Sequence, residues 1–266
     1  MRNRSLPEAV AHARQAGDLE QAAALIDRAG SWELLATHGT GMVRNLLKGF
    51  DENSMRFPRL QLCRVALLIK EGHLQSAEQL LERIRDATNS FHSTQTGDGK
   101  LLERDGELVG VMLATYRDVI VSESYTRILN RLSETTSAND HQALALICSF
   151  YCTNALGRGE FRAAAFAARR GFRHMPMTEL PLGNAYLHFQ QGLAELFQGR
   201  MTEAEAAYRE GLRIAEEYFG DGSCPKAIGD VLIAEVLYQK NELDSAAVHL
   251  HESLPYLETY DGWVDL

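Results

Sequence analysis

Cys148 and Cys152 stand four residues apart, a spacing that puts two side chains on one face of a helix, where two thiolates can share a metal ion. No CxxC pair and no His-x-x-x-His accompanies them to complete a four-ligand set, so the reading is of two small apolar side chains packed between helices. His249 and His251 are two apart and point to different sides of a helix, which removes them as a metal pair. TGDGKL, from Thr96 to Leu101, approaches a phosphate-binding loop, yet it lacks the first glycine and has Leu101 where a hydroxyl should hold magnesium. It reads as a polar loop. Serine, cysteine, lysine, histidine and acids are all present, but no G-x-S-x-G or similar signature aligns a nucleophile with its base.

Binding is the chemistry that remains. Ser149 and Thr153, then Tyr186, Phe189 and Leu193, then Val231, Glu235 and Tyr238 follow one another at three- and four-residue steps within three successive segments, so each group shares one helical face. Aromatic faces mixed with a few polar groups suit a sugar, a small aromatic or amphipathic metabolite, or a peptide. The competing reading of Phe189, Leu193 and Val231 is interhelical core.

The elements that carry these residues follow from a phrase that recurs: GDLEQA from Gly17, GHLQSA from Gly72, GEFRAA from Gly159, GRMTEA from Gly199 and NELDSA from Asn241. Each has an alanine five residues after the turn residue, namely Ala22, Ala77, Ala164, Ala204 and Ala246, and a small or medium residue twelve before that alanine, namely Val10, Val65, Cys152, Gly192 and Ala234. Two antiparallel helices on a tight turn need such residues, a glycine or asparagine where the backbone turns left-handed and an alanine where the helices cross closely. The last spacings are 40 residues from Gly159 to Gly199 and 42 on to Asn241, and a turn near Asp118 would divide the long gap after Gly72. Periods of this size mark stacked helix pairs.

After Gly199, Ala204, Ala207, Tyr208, Gly211, Ala215, Tyr218 and Phe219 fall on one helical face, with Glu203, Glu205, Arg209, Glu210 and Arg213 opposite. Leu74, Ala77, Leu80, Leu81 and Ile84 do the same after Gly72. No segment alternates as a strand would, so the fold class is all-α. Residues 88 to 106, rich in Ser, Thr, Gly and Asp, predict a loop between pairs. MPMTELP from Met175 and GDGSCP from Gly220 predict two further breaks.

Composition fits a folded chain: 266 residues, 45% hydrophobic and 24% charged, with no apolar run long enough for a membrane span or a secretory signal. The cytoplasm is the expected compartment and the four cysteines are expected as thiols. A net charge of -9 without a basic cluster excludes a nucleic-acid-binding stripe.

The small residue, turn glycine and alanine resemble tetratricopeptide (TPR) repeats. The nearest copy runs from Asn184 to Glu217, with Gly192, Ala204, Tyr208 and Gly211 in the favoured positions, and the copy before it closes on Pro176. EAVAHARQAGDLEQAAALIDRAGSWELLATHG, then VRNLLKGF, then FPRLQLCRVALLIKEGHLQSAEQLLERI resembles the entry to the sensor part of MalT-type, LuxR-family ATP-dependent transcription activators. The matching residues are Ala13, Gly17, Asp18, Ala22, Ala23, Leu25, Trp32, Leu35, Gly39, Leu46, Pro58, Leu60, Gly72, Ala77 and Leu81, while LLKGFDEN near Leu47 departs from the pattern.

That resemblance implies a right-handed α-solenoid, with residues 1–50 as helical connector and first pairs and 51–266 as the TPR-like superhelix of a longer protein. It implies an effector or regulatory protein bound on the concave face, no catalysis and no cofactor in this chain. ATP belongs to the family's amino-terminal ATPase part, and DNA to its carboxy-terminal part. A stand-alone TPR scaffold that binds a peptide and a helical enzyme are the rival readings. The terminal DGWVDL looks like the opening of another helix, so weak self-association through Trp263 and Leu266 is expected.

Overall fold

A computed structural model describes residues 6–51, 56–90, 97–119 and 121–260. Every regular element among them is helical. In chain order these are α1 (Leu6–Gln15), α2 (Leu19–Arg28), a 3-10 turn (Ser31–Glu33), α3 (Leu34–Leu47), α4 (Pro58–Lys70), α5 (Leu74–Ser90), α6 (Gly97–Tyr116) and α7 (Glu123–Thr135). There follow α8 (His141–Gly157), α9 (Phe161–Phe172), a second 3-10 turn (Met175–Met177), α10 (Pro181–Leu196), α11 (Met201–Phe219), α12 (Cys224–Gln239) and α13 (Leu243–Tyr260).

One turn recurs six times. Gly17, Gly72, Asp118, Gly159, Gly199 and Asn241 all have left-handed backbone, with φ between 56° and 77°. In each case the next amide donates to the carbonyl five residues back at 2.8 to 3.0 Å, from Asp18 to Ala13 through Glu242 to Leu237. These bonds satisfy carbonyls that the end of a helix would otherwise leave bare. After five of the turns the alanine is buried, from Ala22 at 0% exposure to Ala246 at 4%. The residues expected to face those alanines are buried too, including Val10, Val65, Cys152 and Ala234.

Of the loop expected at 88–106, residues 91–96 lie outside the described residues and the two flanks are corrected. Helix α5 continues to Ser90 and α6 begins at Gly97, so residues 97–101 of the phosphate-loop look-alike are helical. The glycines and acids in this stretch carry less weight than the apolar repeat that follows, since Leu108, Val109 and Val111 are completely buried and anchor α6. On α11, Ala204, Ala207, Tyr208, Gly211 and Ala215 form the buried stripe as expected, whereas Tyr218 is mostly exposed.

The chain divides into two compact units, residues 1–113 and 114–266. In the first, α1 packs on α2 and α4 on α5, with α3 against α4. Buried Asp105 of α6 is held by Arg104 at 2.7 Å and Arg59 at 3.2 Å, and Arg59 reaches on to Asp27 at 2.6 Å. A carboxylate so deep requires such partners.

In the second unit, α8–α9, α10–α11 and α12–α13 are helix pairs, and α10 also packs on α9 while α11 packs on α12. Two aromatic rings fill the core where glycines make room. The Tyr208 ring occupies the space that a Cβ on Gly192 would enter, 2.2 Å from its nearest atom, and the Phe189 ring similarly occupies the space beside Gly211, at 2.5 Å. Among the described residues no helix is long and apolar enough to cross a membrane.

Candidate functional site

The register residues of α8, α10 and α12 separate into three environments. On α8, Ser149 Oγ donates to Gln190 Oε1 at 3.0 Å, and Gln190 Nε2 donates to Thr153 Oγ1 at 2.8 Å. Gln190 is buried, so the two hydroxyls serve to satisfy an amide between α8 and α10. Phe189 is 1% exposed and belongs to the core, with Tyr186 packed edge-on against it at 6.1 Å.

Leu193, Val231, Glu235 and Tyr238 come together. They line a cleft of about 980 Å³ formed by the end of α10, the start of α11, the second half of α12 and the first half of α13. Leu196, Leu232 and Leu250 complete its apolar walls. At the mouth stand Phe197, Tyr238 and Leu243, which are 61%, 62% and 52% exposed, a concentration of bare apolar surface that a solvated face would not carry. Phe197 is held in place by stacking on Phe161, with ring centres 5.0 Å apart and planes within 16°.

Among the described residues lining this cleft, Glu235 is the one charged side chain. Its Oε1 accepts from Gln239 Nε2 at 2.9 Å, one turn along the same helix. Tyr208 also lines the cleft, and its hydroxyl is buried without a hydrogen-bond partner among the described residues. Burial first, and then the charge of Glu235, push the Tyr208 phenol up from its ordinary value, so it stays protonated.

The lining from α11 and α13 was not anticipated from register, which pointed only to the first helix of each pair. A signal for it lies in the sequence: the second residue after each turn is apolar, as in Leu19, Leu74, Phe161, Met201 and Leu243. Met201 and Leu243 are the cleft's contribution from these positions.

Other constellations have structural roles. Asp230, 4% exposed, accepts from Lys226 Nζ at 2.7 Å and Ser253 Oγ at 3.1 Å, and His249 Nδ1 lies 2.9 Å from its other oxygen. Because the serine bonds the acid and not the imidazole, this is a clamp between α12 and α13 rather than an aligned nucleophile. Cys148 and Cys152 are buried, and desolvation raises both thiols above their ordinary value. Burial pushes Cys63 up to about 12. Among the described residues no group of three or more His, Cys, Asp or Glu is arranged to hold a metal ion.

In the first unit a second cleft of about 990 Å³ is lined by Arg44, Lys48, Arg64 and Arg83 together with Glu71, Glu82 and Asp86. Arg44 pairs with Glu71 across it at 2.6 Å, Arg64 donates to the Phe50 carbonyl at 3.2 Å, and it lacks the bare aromatic mouth of the other. The terminal residues 261–266, on which the self-association expectation rests, lie outside the described residues.

No protein-family model, curated protein or solved structure matches the chain.

Proposed function

We propose that this chain is a sensor and interaction module, a solenoid of TPR-like repeats of the MalT type, that binds a ligand and catalyses nothing. The observation that carries this reading is the cleft between the α10–α11 and α12–α13 pairs, apolar within and edged by exposed Phe197 and Tyr238. Six copies of a single turn geometry support the repeat architecture. The resemblance of the amino-terminal third to the MalT-type sensor supplies the regulatory context, in which an ATPase part and a DNA-binding part belong to the longer protein.

A ligand seated in the cleft touches two successive helix pairs at once, so it favours the arrangement of pairs that fits it. Signal transmission is then a shift of population between arrangements. The test is a thermal-shift screen of metabolites against the chain, followed by Tyr238→Ala and Phe197→Ala. A ligand at 100 times its dissociation constant adds about 2.7 kcal/mol of stability, and each variant is expected to weaken binding by about 1 to 3 kcal/mol. Ligands that bind both variants as tightly as the parent would move the site elsewhere, and turnover of any screened compound would replace the sensor with an enzyme.

A further inference from the structure

The acids around the cleft differ in one respect. Glu195 is held by Arg200, and Glu205 by both Arg209 and Lys240. On the outer face of α11, Glu210 and Glu217 share Arg213. Arg200 and Lys240, which adjoin lining residues in the chain, are therefore already engaged. Glu235, an exposed residue of the cleft lining, has among the described residues only the neutral amide of Gln239 as its side-chain partner.

An exposed carboxylate beside apolar walls has water, but no cation, as its complement. It repels an anionic ligand and is costly to cover with a neutral one, because a neutral ligand removes water from the acid and gives no charge in return. A cation offsets that cost, and the exposed aromatic faces of Tyr238 and Phe197 at the mouth attract a cation as well. At about 980 Å³ the cleft is at the upper end of the range common for small-molecule sites. The walls formed by Leu193, Leu196, Leu232 and Leu250 require that most of the ligand be apolar.

We propose that the cleft selects amphiphilic amines: an apolar ring or chain lies along the leucine walls, and an ammonium head sits at Glu235. This inference rests on the reading of the cleft as the ligand site and adds the chemical class of the ligand.

The experiment compares three probes that share one indole ring and differ in the end group: tryptamine, a cation; tryptophol, neutral; and indole-3-propionate, an anion. Calorimetric titration of the full chain is expected to rank them in that order, with tryptamine about tenfold tighter than tryptophol, as for an exposed charge pair together with a cation–π contact. Glu235→Gln is expected to abolish the tenfold preference, weakening tryptamine and, because the acid no longer has to be stripped of water, tightening tryptophol. Raising the salt concentration should narrow the preference in the parent chain.

Equal affinity for tryptamine and tryptophol, or a preference that survives in Glu235→Gln, would overturn the inference. If tryptophol binds and Tyr238→Ala weakens it, the cleft reading stands even when the amine preference fails. If none of the three probes binds, the amine inference falls, and the metabolite screen with its Tyr238 and Phe197 variants decides the cleft separately.

Discussion

Cys152 Sγ donates to the backbone carbonyl of Ala164 at 3.3 Å, twelve residues along the chain and across the line where α8 meets α9. Both residues are at 0% exposure, so the crossing is filled by one sulfur and one methyl group. Ala164→Leu has no room there and is expected to cost about 1 to 3 kcal/mol, the usual penalty for overpacking. Urea unfolding followed by circular dichroism measures it, and an unchanged midpoint would mean that the crossing is looser than this contact implies.

The repeated turn allows a prediction with opposite signs at two sites. Gly199 has φ 75° and open space where a Cβ would go, so Gly199→Ala changes only the backbone energy and should destabilise by about 1 kcal/mol. Asp118 adopts the same region at φ 56° with a side chain attached, and Asp118→Gly should stabilise by about 0.5 kcal/mol. Melting temperatures of the two variants should move in opposite directions from the parent.

Tyr208 carries a buried hydroxyl with no partner among the described residues, packed where Gly192 leaves space for its ring. Tyr208→Phe keeps the ring and removes the unsatisfied group, so it should stabilise the fold by about 1 kcal/mol. Gly192→Ala places a methyl against the same ring and should destabilise, despite the higher helix propensity of alanine. Denaturation midpoints of the pair check both signs.

Two imidazoles make stability depend on pH. Burial, then His141 and the nearby Arg170 and Arg173, hold His174 below its ordinary value of 6.5, and burial does the same to His188. Below 6.5 the unfolded chain takes up protons that the folded chain refuses, so this contribution is complete above 6.5 and is lost as pH falls through the lower folded values. Stability should therefore decline as pH falls below about 6.5. His174→Asn and His188→Phe should each flatten the decline, which urea titrations across that range would show.

The helical class, the turn positions and the close-packed alanines were legible in the sequence because each depends on local stereochemistry. Gly17 or Asn241 needs no distant partner to turn left-handed, and the stripe of α11 follows from its own periodicity. The start of α6 was not legible, since Asp105 and the glycines around it resemble a loop until Arg59 and Arg104 arrive to hold the acid. The candidate site was half legible for the same kind of reason. Register placed Val231, Glu235 and Tyr238 on one face of α12, but only packing between pairs shows that Phe189 is enclosed by α11 and α12 while Phe197 stays bare. Ser149 and Thr153 read as polar contacts for a ligand, and Gln190, a residue of another helix, takes both.

The six turn residues also describe a route through the genetic code. Four are glycine, one is aspartate and one is asparagine, and all keep the same backbone geometry. A glycine codon becomes an aspartate codon by a single base change at its second position, and aspartate becomes asparagine by a single change at the first. Both substitutes tolerate the left-handed region better than other residues with a side chain. Drift along this path costs little at any step, so a helix pair can lose its recognisable turn letter while the carbonyl five residues back still finds its amide. Copies of the unit can then diverge beyond recognition by residue identity and remain superimposable in shape at the turn.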